Sequence, residues 1–338
     1  MSKKIANLVL VGAGRMGSHH AENVAFKMAN ANLFGVLDMN LDGAKALAAK
    51  LGCEYATDSQ EEIANHPDVD GVIIASPARF HASISKYFIE HGKAVFCEKP
   101  AGLTLAEIED VSAAAKKAGV AYQIGFNRRW DRAFADAKAA INAGDIGEPQ
   151  QLRSLTRDPG PWGGDPFKIP TWTIFYETLI HDFDTLLWLN EGAKVTEVRA
   201  MADALVRPDA KGHGHLDAAT VTLRFDNGAM AVAEANFCAM YGYDVRAEVL
   251  GSKGMVQMGD VRKANMTLFN ENGAEDATWR MDSHIFAEGY TAQVRAFVEA
   301  ILTGKQTGPN GNDAHRALAV ALACIKSVQS NQPVTTDI

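Results

Sequence analysis

Cysteine, basic charge and long apolar runs are all scarce in this sequence, and each scarcity excludes something. Four cysteines, Cys53, Cys97, Cys238 and Cys324, are scattered through 338 residues without a CxxC pair. That spacing offers no disulfide framework, and such usage fits a reduced compartment. A net charge of −8 argues against a nucleic-acid or anionic-membrane partner, since both need basic surface. Lys3 and Lys4 precede an apolar run that is cut off at Gly12. No signal peptide or membrane span is readable, so a cytoplasmic protein with no membrane partner is expected. His213 and His215 sit in a GHGH loop, but without further ligands at fixed spacing no metal is expected.

What is present is core material and punctuation. The chain is 47% hydrophobic and long enough for about two domains. A strand-like run over 5–11 is followed at once by Gly12-Ala13-Gly14-Arg15-Met16-Gly17 and a helical stretch over 18–29. In G-x-G-x-x-G between a strand and a helix, the glycines permit a tight turn, close approach to a pyrophosphate and close helix packing. The helix N-terminus favours the phosphate charge. A second run, 33–37, ends at Asp38, near the spacing of about 20 residues beyond the last glycine expected of an acid that holds a ribose. A carboxylate there accepts from both ribose hydroxyls and repels a 2′-phosphate, which favours NAD over NADP.

Alternation continues through a helix over 41–51, an extended piece near Tyr55, a strand over 72–75 closed by Ser76-Pro77, and a helix over 79–91. Then come the strand of Ala94-Val95-Phe96-Cys97-Glu98, a helix over 104–118 with Thr104 and Glu107 as a capping box, and a strand over 120–124. Strands alternating with helices give a doubly wound parallel sheet, a Rossmann domain, over 1–125. Its strand ends bear Ser76, Pro77 and His81, where a cofactor would lie, and Glu98-Lys99-Pro100. Lys99 stands where open parallel sheets bind ligands, although a charged strand end is also an ordinary way to stop a strand.

Beyond this the rhythm changes. Extended runs at 151–155, 195–201, 219–225, 230–237, 245–250 and 254–258 are joined by turns such as Asp226-Asn227-Gly228, a hairpin signal. With helices over 129–142, 174–190, 286–302 and 313–330, residues 126–338 read as an α+β domain for substrate binding and oligomerisation, with a large open, mainly antiparallel sheet. Helices on one face leave the other face apolar and available to a second copy, so a homo-oligomer, dimer or tetramer, is expected. A long Gly/Pro-rich loop over 157–173 offers Asp158, Trp162 and Asp165 to a polyhydroxylated ring. In the helix after it, Glu177 and His181 are four residues apart and share a face, an arrangement suited to proton handling but also to a solvated surface pair.

GAGRMG, Asp38, ASPARFH, CEKP, GFNRRWD and IHDFD together resemble the Gfo/Idh/MocA family of dinucleotide-dependent oxidoreductases over nearly the whole chain. EKP is the most specific mark of that family, and its lysine is catalytic, which implies that role for Lys99; its proline is commonly cis. GFNRR followed by an aromatic and Asp, with the later Arg157-Asp158-Pro159, is similar to inositol dehydrogenases. His181 falls on the catalytic histidine. Glu177 departs from the pattern, since relatives usually carry Asp there.

The resemblance implies a dehydrogenase that oxidises a secondary alcohol of a cyclic polyol or sugar, such as myo- or scyllo-inositol, to the ketone. Its catalytic residues are Lys99, His181 and Glu177. Its NAD site comprises Gly12, Ala13, Gly14, Arg15, Met16, Gly17, Asp38, Ser76, Pro77, His81, Glu98 and Lys99. Its substrate contacts are Lys99, Asn127, Arg129, Asp158, Trp162, Glu177 and His181. Two other readings stand beside it: a glycosidase of the same family that uses NAD transiently, and a dinucleotide sensor without catalysis.

Overall fold

The first apolar run forms β1 (Ala6–Val11), buried on both sides. It feeds α1 (Arg15–Lys27), β2 (Ala31–Leu37), α2 (Leu41–Leu51), β3 (Tyr55–Thr57), α3 (Gln60–Asn65), β4 (Gly71–Ile74), α4 (His81–Glu90), β5 (Ala94–Cys97), α5 (Leu105–Ala118) and β6 (Tyr122–Ile124) in this computed structural model, which describes residues 5–53, 55–160 and 165–338. The six strands form one parallel sheet in the order β3-β2-β1-β4-β5-β6. Chain direction across the sheet reverses between β1 and β4, which creates the crevice where doubly wound sheets take their ligands.

Local chemistry places the helix ends. Asn40 caps α2 by accepting from the Gly43 amide. Thr104 and Glu107 form the anticipated reciprocal box at the start of α5. The short α3 went unread in the sequence because a single turn carries no helical period, although Ser59 caps it.

The second sheet is built from β7 (Pro149–Pro159), β8 (Val195–Asp203), β9 (Ala218–Phe225), β10 (Met230–Ala239), β11 (Asp244–Gly251), β12 (Met255–Met258) and β15 (Val334–Thr335). Its order is β12-β11-β7-β10-β9-β8-β15, with β7 and β10 parallel and the other neighbours antiparallel. The Asn-Gly hairpin joins β9 to β10, as its turn chemistry requires. Between β12 and β15 lie a separate hairpin, β13 (Arg262–Asn270) with β14 (Gly273–Thr278), and helix α8 (Asp282–Ile285). The hairpin is almost wholly exposed, so it carries no alternating apolar pattern by which the sequence would reveal it. Helices α6 (Arg132–Ala143) and α7 (Leu179–Leu189) belong to the same half.

The chain divides into two compact units, Met1–Trp130 with Glu288–His315 and Asp131–Ala287 with Arg316–Ile338. This differs from a single cut at residue 125. Helix α9 (Ala287–Thr303), expected in the second domain, places Val294, Phe297 and Val298 in the core with Leu8, Leu10 and Phe96 of the parallel sheet. Its amphipathic period is legible in the sequence, but a period does not say which sheet the helix covers. The last helix, α10 (Gly311–Ser330), lies across the boundary between the two units in sequence, and its Ser327 accepts from the Ala200 amide of β8.

The open face of the second sheet is also less apolar than expected. Exposed Met201, Met230, Leu250 and Met255 alternate there with charged residues, including Arg153 paired to Glu234 at 2.7 Å. Among the described residues no helix is long and apolar enough to cross a membrane.

Candidate active site

The glycine loop divides three tasks among three glycines. Gly12 has φ +100°, and a Cβ on it would come within 2.8 Å of the Ala75 carbonyl and the Ser76 amide, so the loop lies directly against the end of β4. A Cβ on Gly17 would run into the Gly12 carbonyl, so the third glycine lets α1 pack on the turn. Gly14 faces open space with nothing within 4 Å, and it heads α1 with no side-chain cap. The first amides of the helix thus head a glycine-walled cradle, the geometry that receives a pyrophosphate.

Asp38 is held at the end of β2. Its Oδ2 accepts from the Ala13 amide at 2.7 Å and its Oδ1 from the Asn40 amide at 2.8 Å. Each oxygen keeps a lone pair for a hydroxyl. On the neighbouring strand end, Ser76 Oγ is buried with no hydrogen-bond partner in the structure, and Pro77 opens the short turn Ala78–Phe80. An orphaned hydroxyl beside a glycine cradle and a fixed carboxylate fits a dinucleotide: Gly14 to Gly17 for its phosphates, Asp38 for its ribose, Ser76 for its remaining polar edge.

His81 is placed otherwise than expected. The ring is 2% exposed, and its Nδ1 and Nε2 each lie 2.7 Å from a backbone carbonyl, of Pro100 and Ser76 respectively. Neither nitrogen remains for a nicotinamide. The reason is the bend of the chain after β4, which turns the first residue of α4 inward.

Glu98 is likewise buried, at 7% exposure, and its Oε1 accepts from His20 Nε2 at 2.7 Å. Burial opposes its charge, yet the His20 hydrogen bond and the nearby Lys99 and His81 charges hold its carboxyl below the usual glutamate range. Gly125 packs closely on this carboxylate, since a Cβ there would approach it to 3.0 Å. Glu98 therefore ties α1 to the end of β5 and is a support for Lys99, where the sequence placed it among cofactor contacts. His20 is the partner that the sequence did not disclose. The Lys99–Pro100 peptide is cis.

Asn127 and Arg129 lie in the turn Asn127–Trp130 after β6. Asn127 is buried, and Arg129 Nη2 pairs with Asp313 Oδ1 at 2.8 Å. That pairing neutralises the guanidinium within its own unit.

In the second unit, Glu177 lies in a π-helical segment, Ile174–Thr178, that runs into α7. The wider turn alters the one-face relation expected from a four-residue offset. Such segments are frequent at functional sites. Glu177 is exposed and His181 half-buried. The next residue, Asp182, is fully buried and accepts from Ser154 Oγ and Thr156 Oγ1 of β7, while Thr185 donates to the His181 carbonyl at 2.8 Å. This brace was not foreseen; its signal was the pair of carboxylates, Asp182 and Asp184, inside the largely apolar LIHDFDTLLWL.

Asp158 lies within β7 and not in a loop. Asp165 caps the turn Pro166–Lys168, and Trp162 lies outside the described residues. Among the described residues no group of three acidic, histidine or cysteine side chains could hold a metal ion.

Comparisons with known proteins agree with this geometry. Residues 6–126 match the oxidoreductase family described as having an NAD-binding Rossmann fold, and residues 134–257 match the Gfo/Idh/MocA C-terminal domain. The chain is 34% identical over 326 residues to a myo-inositol 2-dehydrogenase of Thermotoga maritima, covering 96% of this chain and 97% of the relative. It is 34% identical over 329 residues to a scyllo-inositol 2-dehydrogenase (NAD(+)) of Bacillus subtilis, covering 97% and 96%. The structure of scyllo-inositol dehydrogenase from Lactobacillus casei with bound NAD(H) and scyllo-inositol superposes with a TM-score of 0.90 at 28% identity, over 98% of this chain and 99% of that one. With its NAD-binding fold, its Glu98-Lys99-Pro100 strand end and relatives along its whole length, the chain belongs to the Gfo/Idh/MocA family of oxidoreductases.

Proposed function

We propose that this protein is an NAD-dependent dehydrogenase that oxidises a secondary alcohol of a cyclic polyol, myo- or scyllo-inositol or a closely related sugar, to the ketone. The observation that carries the reading is full-length similarity to inositol dehydrogenases in a chain that keeps both Lys99 and His181. Bound NAD supplies the hydride acceptor. The part of His181 in this reaction is to take the hydroxyl proton on a ring nitrogen, and that of Lys99 is to donate a hydrogen bond that stabilises the developing charge. Asp182 fixes the turn from which His181 works, and Glu177 accepts from a neighbouring hydroxyl of the ring.

Asn127, Arg129 and Asp158 complete the proposed substrate contacts. Arg129 already has a carboxylate partner, which suits a neutral polyol better than an acid. Asp38 directs the cofactor preference to NAD over NADP. The same reading takes the protein as a homo-oligomer, dimer or tetramer, assembled through the open sheet face. Light scattering on Met230→Glu tests that last part, with a smaller assembly expected.

NADH formation measured across a panel of inositols, sugars and other polyols, with Lys99→Ala as control, tests the main reading. Reduction of NAD by at least one inositol, lost in the variant while cofactor binding persists, is expected. If no polyol reduces NAD, the dehydrogenase reading fails.

A further inference from the structure

Two backbone carbonyls converge on one buried ring. His81 Nδ1 lies 2.7 Å from the Pro100 oxygen and Nε2 lies 2.7 Å from the Ser76 oxygen. A carbonyl oxygen only accepts, so both ring nitrogens must carry hydrogen, and only the imidazolium form does. A neutral ring would set a lone pair against one of the oxygens at a site only 2% exposed, where water cannot relieve the clash.

The two carbonyls belong to the two strand ends that matter most here. Ser76 follows β4, against the glycine loop, and Pro100 shares its peptide bond with Lys99. The strands themselves are hydrogen-bonded neighbours, with Ile74 opposite Cys97. Beyond those residues the ladder stops, and the ring takes over as the link between the two loops.

We infer that His81 is a positioning residue for Lys99: a buried imidazolium that bridges the Ser76 and Pro100 carbonyls and thereby fixes the loop that carries the lysine. This rests on the role proposed for Lys99 above. The surroundings suit a cation. Cys97 comes from β5, the ionised Glu98 from the same strand end, and the Tyr122 phenol from β6 is raised by its own burial and by Cys97, with Ser85 of α4 opposing. Burial alone would lower the histidine, but Cys97 and the two carbonyls outweigh it and bring the ring to about 9.

Nitrogen NMR of the ¹⁵N-histidine-labelled enzyme tests the protonation directly, with the His81 signal assigned by its loss in His81→Gln. Both ring nitrogens should read as protonated at neutral pH and stay so until the solution approaches pH 9. An unprotonated nitrogen at neutral pH overturns the inference, whether or not any substrate has been found. The positioning role is read in kinetics: a glutamine carries its donors on one nitrogen and cannot span carbonyls that face the two separate nitrogens of a ring, and kcat should fall about 100-fold, the cost of misplacing a reacting group by about 1 Å. NAD affinity should fall by clearly less than kcat, since the released Ser76 loop is one of several cofactor contacts. An unchanged kcat, or an equal loss in NAD binding, also overturns it. If His81→Gln does not fold, through-bond correlation from the His81 backbone amide assigns the ring signal, and the wild-type spectrum decides the protonation. A Lys99→Ala enzyme that retains activity would sink the role of the lysine while leaving that spectrum intact.

Discussion

The two units hold their functional side chains by different means. At the end of β5, Lys99 is fixed by charge: an ionised Glu98 held by His20 on one side and a cationic His81 gripping Pro100 on the other. On α7, His181 is fixed by hydroxyls, through two β7 side chains that donate to the adjacent Asp182. A group whose folded-state pKa is shifted makes stability depend on pH, and a hydrogen-bonded network depends on every one of its partners. The strand end that carries Lys99 should therefore respond to pH through Glu98 and His81, and the helix that carries His181 to loss of the Ser154 and Thr156 hydroxyls.

The largest test of this contrast is on His181, the proton carrier of the proposed reaction. His181→Asn should lower kcat by about 10²–10⁴-fold, the usual value of general acid–base catalysis, with unfolding unchanged in denaturant titrations. A kcat within threefold of wild type would remove His181 from the chemistry. Next comes the brace. Asp182→Ala strands two buried hydroxyls and should cost about 3 kcal/mol of unfolding free energy in urea, together with a drop in kcat. A loss of stability without any change in kcat would show that the brace serves the fold alone.

The charged end gives two pH windows of opposite sense. Raised from 6.5 to about 9, His81 stabilises the fold fully below pH 6.5, and that contribution fades as pH rises through about 9. The difference in unfolding free energy between wild type and His81→Gln should shrink by about 3 kcal/mol across that window. Glu98, lowered from 4.5, contributes above that value and loses its contribution as pH falls through its depressed folded one. A difference that is flat with pH would contradict the charged clamp. On the cofactor side, Asp38→Ala removes charge-assisted hydrogen bonds, so KM for NAD should rise about 10- to 100-fold while NADP is affected less. The smallest expected effect is at Thr104, which caps α5 outside either arrangement; Thr104→Ala should cost about 1 kcal/mol and leave the kinetics alone.

Much of this was legible in the sequence wherever the chemistry is local. The glycine loop, Asp38, the capping box at Thr104 and the Asn-Gly hairpin each declare themselves within a few residues, because turn and cap geometry depend on the residue types that make them. The alternation of strands and helices announced the parallel sheet for the same reason. What stayed hidden involves partners far apart in the chain. His20 meets Glu98 across 78 positions and Ser154 meets Asp182 across 28, and no period or motif encodes such a meeting. The exposed hairpin β13–β14 escaped for want of an apolar face, and α9 was assigned to the wrong sheet because amphipathicity does not name its partner.

The sequence by itself determined that a glycine loop joins the first strand to a helix, that a carboxylate ends the second strand and that a lysine follows the strand of Ala94 to Cys97. Only the tertiary structure decided that His81 faces two carbonyls, that Glu98 is a buried support and that Asp182 anchors the helix of His181. The physical reason lies in burial. Whether a polar side chain binds a ligand or holds the fold depends on which donors and acceptors surround it once water has been excluded, and those neighbours are assembled by the fold.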